Sequence, residues 1–168
     1  MVDKVRMTGL REMGLAFKEL NNRLQKRIGR SAVSAGGRVL QKEAKAQAPV
    51  LKEPHPHRKP GTVRAATRVK AIAKRNGSFE AIVWVKGIGT KKIAAFKQAT
   101  GRNSSQNPDD PFYWWMVHFG TAKVPANPWM SRAFDSKKLE AAKKTADQLG
   151  TRLEAEASDV GRTHGKVK

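Results

Sequence analysis

The sequence contains no cysteine, so disulfides, thiol catalysis and cysteine-ligated zinc are excluded together. The same absence fits a protein made in a reducing cytoplasm. No apolar run approaches the roughly 20 residues that a membrane-spanning helix needs. The start, Met1-Val2-Asp3-Lys4, lacks the basic-then-apolar layout of a secretory signal. We therefore expect a chain without a membrane partner.

Acidic residues are also scarce, since 14 Asp and Glu face 34 Lys and Arg and leave a net charge of +20. A chain with this excess is attracted to polyanions such as DNA, RNA or an acidic protein surface. The excess is concentrated between Lys52 and Arg102, where 13 basic residues accompany only Glu53 and Glu80. One region of the chain is therefore expected to carry the positive field.

Catalytic constellations are absent from the sequence as well. The histidines His55, His57, His118 and His164 are scattered, and no Ser-His-Asp spacing or paired carboxylates accompany them. His55 and His57 supply two metal ligands at most, whereas a zinc site requires three or four. The sequence therefore predicts no enzyme, no cofactor and no metal site.

Apolar residues at helical spacing predict two helices in the N-terminal part of the chain. One covers residues 10–24 with Thr8 as its N-cap, and Gly29 separates it from a second helix over residues 31–48. The pair Gly36-Gly37 costs the second helix roughly 1 kcal/mol per glycine relative to alanine. We therefore expect close packing against another backbone at these glycines.

The clearest strand signal lies at residues 68–86, where apolar and charged residues alternate on both sides of Arg75-Asn76-Gly77. Asn-Gly between alternating runs is the strongest short-range signal for a hairpin. One face of this hairpin is apolar, and the other face carries most of the candidates for polyanion contact. Together with two lysines that follow the hairpin, these candidates are Arg68, Lys70, Lys74, Lys86, Lys91 and Lys92.

A final helix is predicted from about Asp135 to Leu153, and a short basic tail follows over residues 161–168. We predict an α+β fold in which the two N-terminal helices and the C-terminal helix pack on a small antiparallel sheet. The hairpin is expected at the centre of that sheet. Residues 1–160 are expected to form a single domain.

The segment 87–111 is polar and is predicted to be a long mobile loop of this domain. Gly87-Ile88-Gly89 invites comparison with a phosphate loop, but its spacing matches neither the dinucleotide nor the P-loop fingerprint, so a flexible turn is expected. Ile88, Ile93 and Phe96 are too few apolar residues to fold alone and are expected to anchor on a neighbouring subunit or a tail ring. The alternative is a surface insertion that the fold tolerates.

Three segments carry a recognisable pattern. Glu43–Pro49 has the sequence EAKAQAP, Phe112–Thr121 has FYWWMVHFGT, and Pro125–Asp135 has PANPWMSRAFD. In order and spacing they resemble the small tail-component family of long-tailed bacteriophages, the tail-completion or head–tail joining neck proteins. The family layout is AK-x-x-AP, then aromatic-x-x-x-x-GT, then A-x-P-aromatic-hydrophobic-x-x-A before a C-terminal helix. The resemblance spans about residues 9–153 and departs at His118, where members commonly carry an acid.

The resemblance implies a structural virion protein that completes or terminates the tail and helps to join it to the head. It implies a homo-oligomeric ring, for which a hexamer is expected, with other neck and tail proteins as partners and DNA in the lumen as an optional non-specific contact. The expected location is the virion, and the host cytoplasm during assembly. The residues expected at subunit contacts are Ile88, Ile93, Phe96, Trp114, Trp115 and Trp129.

A basic protein that binds DNA without sequence preference is the alternative. The net charge, with Trp84 and either Trp114 or Trp115, would provide a basic groove with stacking aromatics. Against it, no helix-turn-helix, zinc-finger, RNP or KH signature is present, and the aromatics cluster away from the basic stretch. Within the phage interpretation, tail completion, tail termination and head closure all stay open.

Overall fold

The computed structural model describes residues 10–19, 22–53 and 55–164, which fold into helices and a two-stranded antiparallel sheet. The helices are α1 (Leu10–Glu19), α2 (Asn22–Gln47), α3 (Thr62–Ala66), α4 (Thr90–Thr100), α5 (Trp114–Phe119) and α6 (Trp129–His164). The strands are β1 (Thr67–Ala73) and β2 (Phe79–Val85), and a 3-10 turn covers Ser104–Gln106. The predicted α+β class is confirmed. Among the described residues, none of the helices combines the length and the apolar character needed to span a membrane.

The described chain divides into two compact units. The first unit combines the chain up to Val39 with residues 70–82 and the chain from Lys138 onward. The second unit combines residues 40–69 with residues 83–137. Both units are discontinuous in sequence, because α2, the two strands and α6 each contribute to both. The single domain expected over residues 1–160 stays a prediction.

Helix α2 is continuous through Gly29, so the predicted break at this residue is wrong. A Cβ atom on Gly29 would lie 2.6 Å from the ring of Phe79, which packs directly on the helix backbone in the first unit. The glycine therefore serves close packing rather than helix termination. Helix α1 ends instead at Glu19, and the expected cap Thr8 lies outside the described residues.

The close packing expected at the glycine pair is confirmed for Gly36. A Cβ atom on this residue would lie 2.5 Å from the carbonyl oxygen of Ala141 and would overlap the hydroxyl of Thr145, both on α6. The backbones of α2 and α6 therefore approach closely within the first unit. Contacts at such short range offset the roughly 1 kcal/mol that a glycine costs a helix.

The hairpin predicted around Asn76-Gly77 is confirmed. The Lys74 N–H donates to the Ser78 carbonyl at 2.8 Å, and the Gly77 N–H donates to the Lys74 carbonyl at 3.2 Å. In this turn Gly77 has a positive φ of 81°, whereas the side-chain oxygen of Asn76 accepts the Ser78 N–H at 3.0 Å. Asparagine thus stabilises the turn as an acceptor, and the glycine alone takes the left-handed conformation.

The segment 87–111 is not the unstructured loop that the sequence predicts, because residues 90–100 form α4. Gly101 closes this helix with a φ of 67°, and its N–H donates to the Lys97 carbonyl at 2.8 Å. The helix is rich in lysine and alanine, which have high helix propensity. The prediction of an unstructured loop is wrong for residues 90–100 because it neglects this helix propensity. The mobility of the segment stays a prediction.

The last helix also differs from its prediction, because it begins at Trp129 instead of about Asp135. The Pro128 carbonyl accepts the Arg132 N–H at 3.1 Å, which makes this proline the residue that opens the helix. The helix continues to His164, so residues 161–164 of the predicted basic tail are helical. Residues 165–168 lie outside the described part of the chain.

The core of the second unit collects apolar residues from α2, α3, β2, α5 and α6. Its buried members are Ala44, Ala48, Val63, Val85, Trp129 and Ala133, against which Ala66, Val83, Tyr113, Trp114 and Met130 pack. Trp129 is the largest fully buried side chain, with 0% exposure. Because large aromatic side chains dominate core energetics, Trp129 is the centre of this cluster.

Candidate functional site

A groove of about 500 Å³ on the second unit gathers basic residues from separate parts of the chain. A cavity of this volume lies in the range that accommodates a small ligand. Its lining comes from the loop before α3, from α3 itself, from the ends of the strands and from the start of α4. The lining residues are Lys59, Pro60, Gly61, Thr62, Ala65, Ala66, Arg68, Lys86, Gly87, Ile88, Gly89, Lys92 and Asp109.

One part of the groove forms where α3 passes into β1. Thr67 is fully buried, and its hydroxyl donates to the Val63 carbonyl at 2.9 Å, which fixes this transition. Arg68 follows, and its guanidinium donates to a carbonyl at the end of α3 at 2.5 Å. The Lys86 N–H donates to the Ala66 carbonyl at 2.9 Å. The end of β2 therefore lies beside the end of α3, and both bring a cation to the groove.

A second part comes from the proline- and histidine-rich loop. Lys59 Nζ donates to Asp109 Oδ1 at 2.7 Å, and the Lys59 N–H donates to the Pro108 carbonyl at 3.4 Å. The Thr62 hydroxyl donates to the Lys59 carbonyl at 2.8 Å. The Lys59–Asp109 contact joins segments that are 50 residues apart in sequence.

The loop Gly87–Gly89 and the first turn of α4 complete the groove. Gly89 precedes the helix with an ordinary φ of −70°, and its carbonyl accepts the Ile93 N–H at 3.1 Å. Lys92 lies in the first turn, which contains no acidic residue. The sequence predicts a flexible turn at this point, whereas the structure shows the start of a helix that lines a basic groove.

The groove carries an excess of positive charge. Four cationic side chains and one carboxylate line it, which gives a local charge of +3 (4 − 1). Lys59 and Asp109 are both mostly exposed, so their ion pair contributes at most about 1 kcal/mol. In the described part of the chain, Arg68, Lys86 and Lys92 form no ion pair. The groove therefore attracts anions.

The structure separates the six predicted polyanion contacts. Those that line the groove are Arg68, Lys86 and Lys92. Lys91 lies on α4 outside the groove, and Lys70 and Lys74 belong to the first unit, where Lys74 is paired with Glu80. Lys59 was missed by the sequence analysis. The sequence indicates a role for Lys59 only through its position in the basic stretch 52–102, because the contact of Lys59 with Asp109 is visible only in the fold.

The structure contradicts one predicted subunit contact. Trp129 is enclosed in the core of the second unit, so it cannot contact another subunit from this position. Trp114 packs against the same core, whereas Trp115 is 47% exposed. Phe119, four residues further along α5, is 70% exposed and was missed. Residues at this spacing share a helix face, so α5 presents two exposed aromatic residues on one face.

The remaining subunit-contact candidates, Ile88, Ile93 and Phe96, are half-buried in the second unit. Ile88 and Phe96 line a second cavity of about 530 Å³, which shares Ile88, Lys92 and Asp109 with the groove. Part of the apolar surface of these three residues is therefore buried by contacts within the chain. Their contact with another subunit stays a prediction.

Arg58 holds the proline- and histidine-rich loop against the aromatic segment. Its guanidinium donates to the carbonyls of His57 at 2.6 Å and Ser105 at 2.7 Å. It also lies over the rings of Phe112 and Tyr113, at 4.8 and 5.1 Å from their centroids. Burial raises the pKa of Tyr113, and the charge of Arg58 partly opposes this rise. No motif in the sequence marks this arginine, because its partners are distant along the chain.

His118 is buried at the end of α5. Its ring lies 6.2 Å from Trp129 and 4.6 Å from Phe119 between centroids. Burial lowers the pKa of His118, and the charge of Arg132 lowers it further. In the described structure, neither Nδ1 of His118 nor Nε1 of Trp129 has a hydrogen-bond partner. The environment therefore favours a neutral imidazole that serves the core.

The histidines of the loop give no basis for a metal site. The His57 N–H donates to His55 Nδ1 at 3.1 Å, so one potential ligand atom is used locally. The described residues contain no group of three or more histidine, aspartate or glutamate side chains that could hold a metal ion.

No protein-family model matches the chain, and no curated protein or solved structure matches it either. The resemblance to phage tail components therefore depends on the three motifs of the sequence. What the structure adds is the position of each motif in the fold.

Proposed function

We propose that the chain is a structural subunit of the neck or tail of a long-tailed bacteriophage. In that role it completes or terminates the tail and helps to join it to the head, as one copy in a homo-oligomeric ring. It acts without catalysis and without a cofactor, in contact with other neck and tail proteins. The observation that supports this proposal is that the three motifs meet in the second unit, although the first ends more than 60 residues before the second begins.

The first and third motifs share one buried cluster. Ala44 and Ala48, from the helix end of the first motif, are 3% and 4% exposed. Trp129 and Ala133, from the third motif, are 0% and 1% exposed in the same cluster. The small residues of one motif therefore provide space for the aromatic residue of the other, which explains why a fold would require both residue types.

The second and third motifs are joined through the backbone. The Asn127 N–H donates to the Val117 carbonyl at 2.9 Å. Gly120 has a φ of 80°, and a Cβ atom on it would lie 2.8 Å from the backbone nitrogen of Ala126. Only glycine fits this turn, so the Gly-Thr element positions the segment that opens α6.

The face of α5 that carries Trp115 and Phe119 is the surface best suited to a neighbouring copy in the ring. Both rings are exposed in the chain, and large aromatic residues are enriched at the centres of protein interfaces. This face lies directly beside the buried motif residues of α5. A fold held by the motifs would therefore present it in a fixed orientation.

Native mass spectrometry of the purified chain tests the proposal. We expect a closed ring, with a hexamer as the copy number, and we expect Trp115→Ser with Phe119→Ser to dissociate it. The matched control is Val50→Ser with Leu51→Ser, an exposed apolar pair of the same unit (40% and 38%), which should leave the ring intact. A monomer at every concentration, or equal effects of the two pairs, would contradict the proposal.

A basic protein that binds DNA without sequence preference is the second candidate function. The observation in its favour is the groove, in which Arg68, Lys86 and Lys92 lie together without ion-pair partners among the described residues. The two functions are compatible, since a neck subunit can lie beside the DNA that passes through the ring.

A further inference from the structure

We propose that the groove on the second unit is a binding site for the phosphates of a nucleic-acid backbone. The site is formed by Arg68, Lys86 and Lys92, with Lys59 at its edge and the loop Gly87–Gly89 between them. It rests on the second candidate function, DNA binding without sequence preference, and does not depend on a role in the virion. Four features support this site. They are the charge of the groove, the placement of its glycines, the chemistry of its donors and the absence of base-recognising side chains from its lining.

The charge of the groove lacks a counterpart within the chain. Lys59 is the one lining cation with a carboxylate partner in the described structure, and that partner is Asp109. Arg68, Lys86 and Lys92 come from separate elements, so the fold itself brings the three like charges together. Gathering like charges is unfavourable, and a bound anion relieves the repulsion.

The fold does not require the two glycines of the loop. A Cβ atom on Gly87 or Gly89 would meet nothing within 4 Å, and neither residue has a positive φ. Their lack of side chains leaves the backbone N–H groups open to close approach by a ligand. Helix α4 begins immediately afterwards, and its Lys92 N–H donates to the Gly89 carbonyl at 2.9 Å. The backbone of the loop Gly87–Gly89 itself therefore lines the groove beside the cationic side chains.

Phosphate fits this combination better than carboxylate. A glycine loop that leads into a helix start is a general arrangement for binding phosphate oxygens. Three of the four cations are lysines, which act as point charges toward phosphate, whereas planar carboxylate recognition favours paired arginine donors. The volume of about 500 Å³ accommodates a phosphate together with its neighbouring sugar.

The lining also predicts that the bases are not recognised. It contains no aromatic side chain to stack on a base and no Asn or Gln side chain to pair with a base edge. Contacts from Lys and Arg to phosphate position a nucleic acid without specifying its sequence. Binding should therefore be independent of sequence and strongly dependent on salt.

A salt titration with matched variants tests the proposal. The groove variant is Arg68→Gln with Lys86→Gln and Lys92→Gln. The control is Lys97→Gln with Arg102→Gln and Lys123→Gln, which removes the same charge from exposed residues of the same unit outside the groove. Affinity for a fluorescein-labelled DNA duplex is measured by anisotropy between roughly 50 and 200 mM salt.

Log affinity falls with log salt, and we expect this dependence to be shallower for the groove variant. The magnitude of the slope should decrease by up to about 2.7, or roughly 0.9 for each phosphate that the variant no longer neutralises. The control variant should change the slope much less. Equal slopes for the two variants would overturn the proposal, because the binding would then follow net charge and not this site. An unchanged melting temperature of the groove variant establishes that the fold is retained.

A second variant and a competitor separate phosphate binding from general attraction to acids. Gly89→Ala keeps all charges and an allowed backbone, so it should preserve the melting temperature and weaken DNA binding several-fold. Poly-glutamate of matched charge should compete poorly with the duplex. Full affinity of Gly89→Ala, or equal competition by poly-glutamate, would overturn the phosphate site in favour of general attraction to acids. The groove variant should form an oligomer with the same number of copies as the unchanged chain, as measured by native mass spectrometry. Loss of DNA binding is therefore distinguishable from loss of the ring.

Discussion

The second unit contains two regions of opposite character, the buried cluster around Trp129 and the basic groove. The cluster is apolar, closed to solvent and composed largely of residues from the three motifs. The groove is open and cationic, and Lys59, Arg68, Lys86 and Lys92 all lie outside the motifs. The comparison indicates that the motifs supply most of the buried cluster of this unit. The residues that would contact a ligand are a separate set.

Trp129→Ala should break the cluster with the largest effect on stability. Truncating a buried tryptophan costs about 3–5 kcal/mol, because apolar burial is lost and a cavity remains. The measurement is the free energy of unfolding in denaturant. Trp115→Ala is the control, since that ring is 47% exposed and its loss should cost far less. Similar losses for both tryptophans would contradict the assignment of Trp129 as the centre of the core.

Gly120→Ala should have the next largest effect. The alanine would take a backbone conformation with φ 80° and ψ 174°, which is essentially restricted to glycine and costs on the order of 1–3 kcal/mol. Its Cβ would also lie 3.0 Å from the Val124 carbonyl oxygen. Gly77→Ala provides the comparison, because Gly77 has a φ of 81° in the hairpin turn and no atom within 4 Å of an added Cβ. The melting temperature should fall further for Gly120→Ala. Equal shifts would show that the close approach of the Val124 carbonyl has no effect on stability.

The smallest expected effect is a dependence of stability on pH through His118. Its pKa in the folded chain is lowered from 6.5, so the unfolded chain binds a proton more readily. Stability is therefore complete above pH 6.5 and decreases as the pH falls through that value toward the lower pKa of the folded state. Denaturant titrations across this range should show the decrease, and His118→Gln should reduce it. Exposed His55→Gln is the control, and an equal reduction by it would contradict the assignment.

Much of the architecture follows from local signals in the sequence. The hairpin was predicted because alternation and Asn-Gly act over a few residues. The packing at Gly36 was predicted because a glycine inside a helix requires compensation. The sequence signals for these features lie within a few residues of one another along the chain.

The errors share the opposite cause. The sequence predicts a helix break at Gly29 because it does not show that Phe79 packs against this residue. Trp129 was assigned to a surface because its burial depends on residues from distant helices. The groove was not predicted as one site, since Lys59 reaches it through contact with Asp109, 50 residues away. Contacts of this range become visible only when the fold is known.

The most direct test of the proposed function is a reconstruction of the phage particle at a resolution that identifies side chains. The proposal predicts several copies of this chain arranged around the tail axis where the tail joins the head. It also predicts that the α5 face with Trp115 and Phe119 contacts a neighbouring copy, while Trp129 stays enclosed within each copy. Absence of the chain from purified, infectious particles would contradict the proposal, whatever the outcome for DNA binding in the groove.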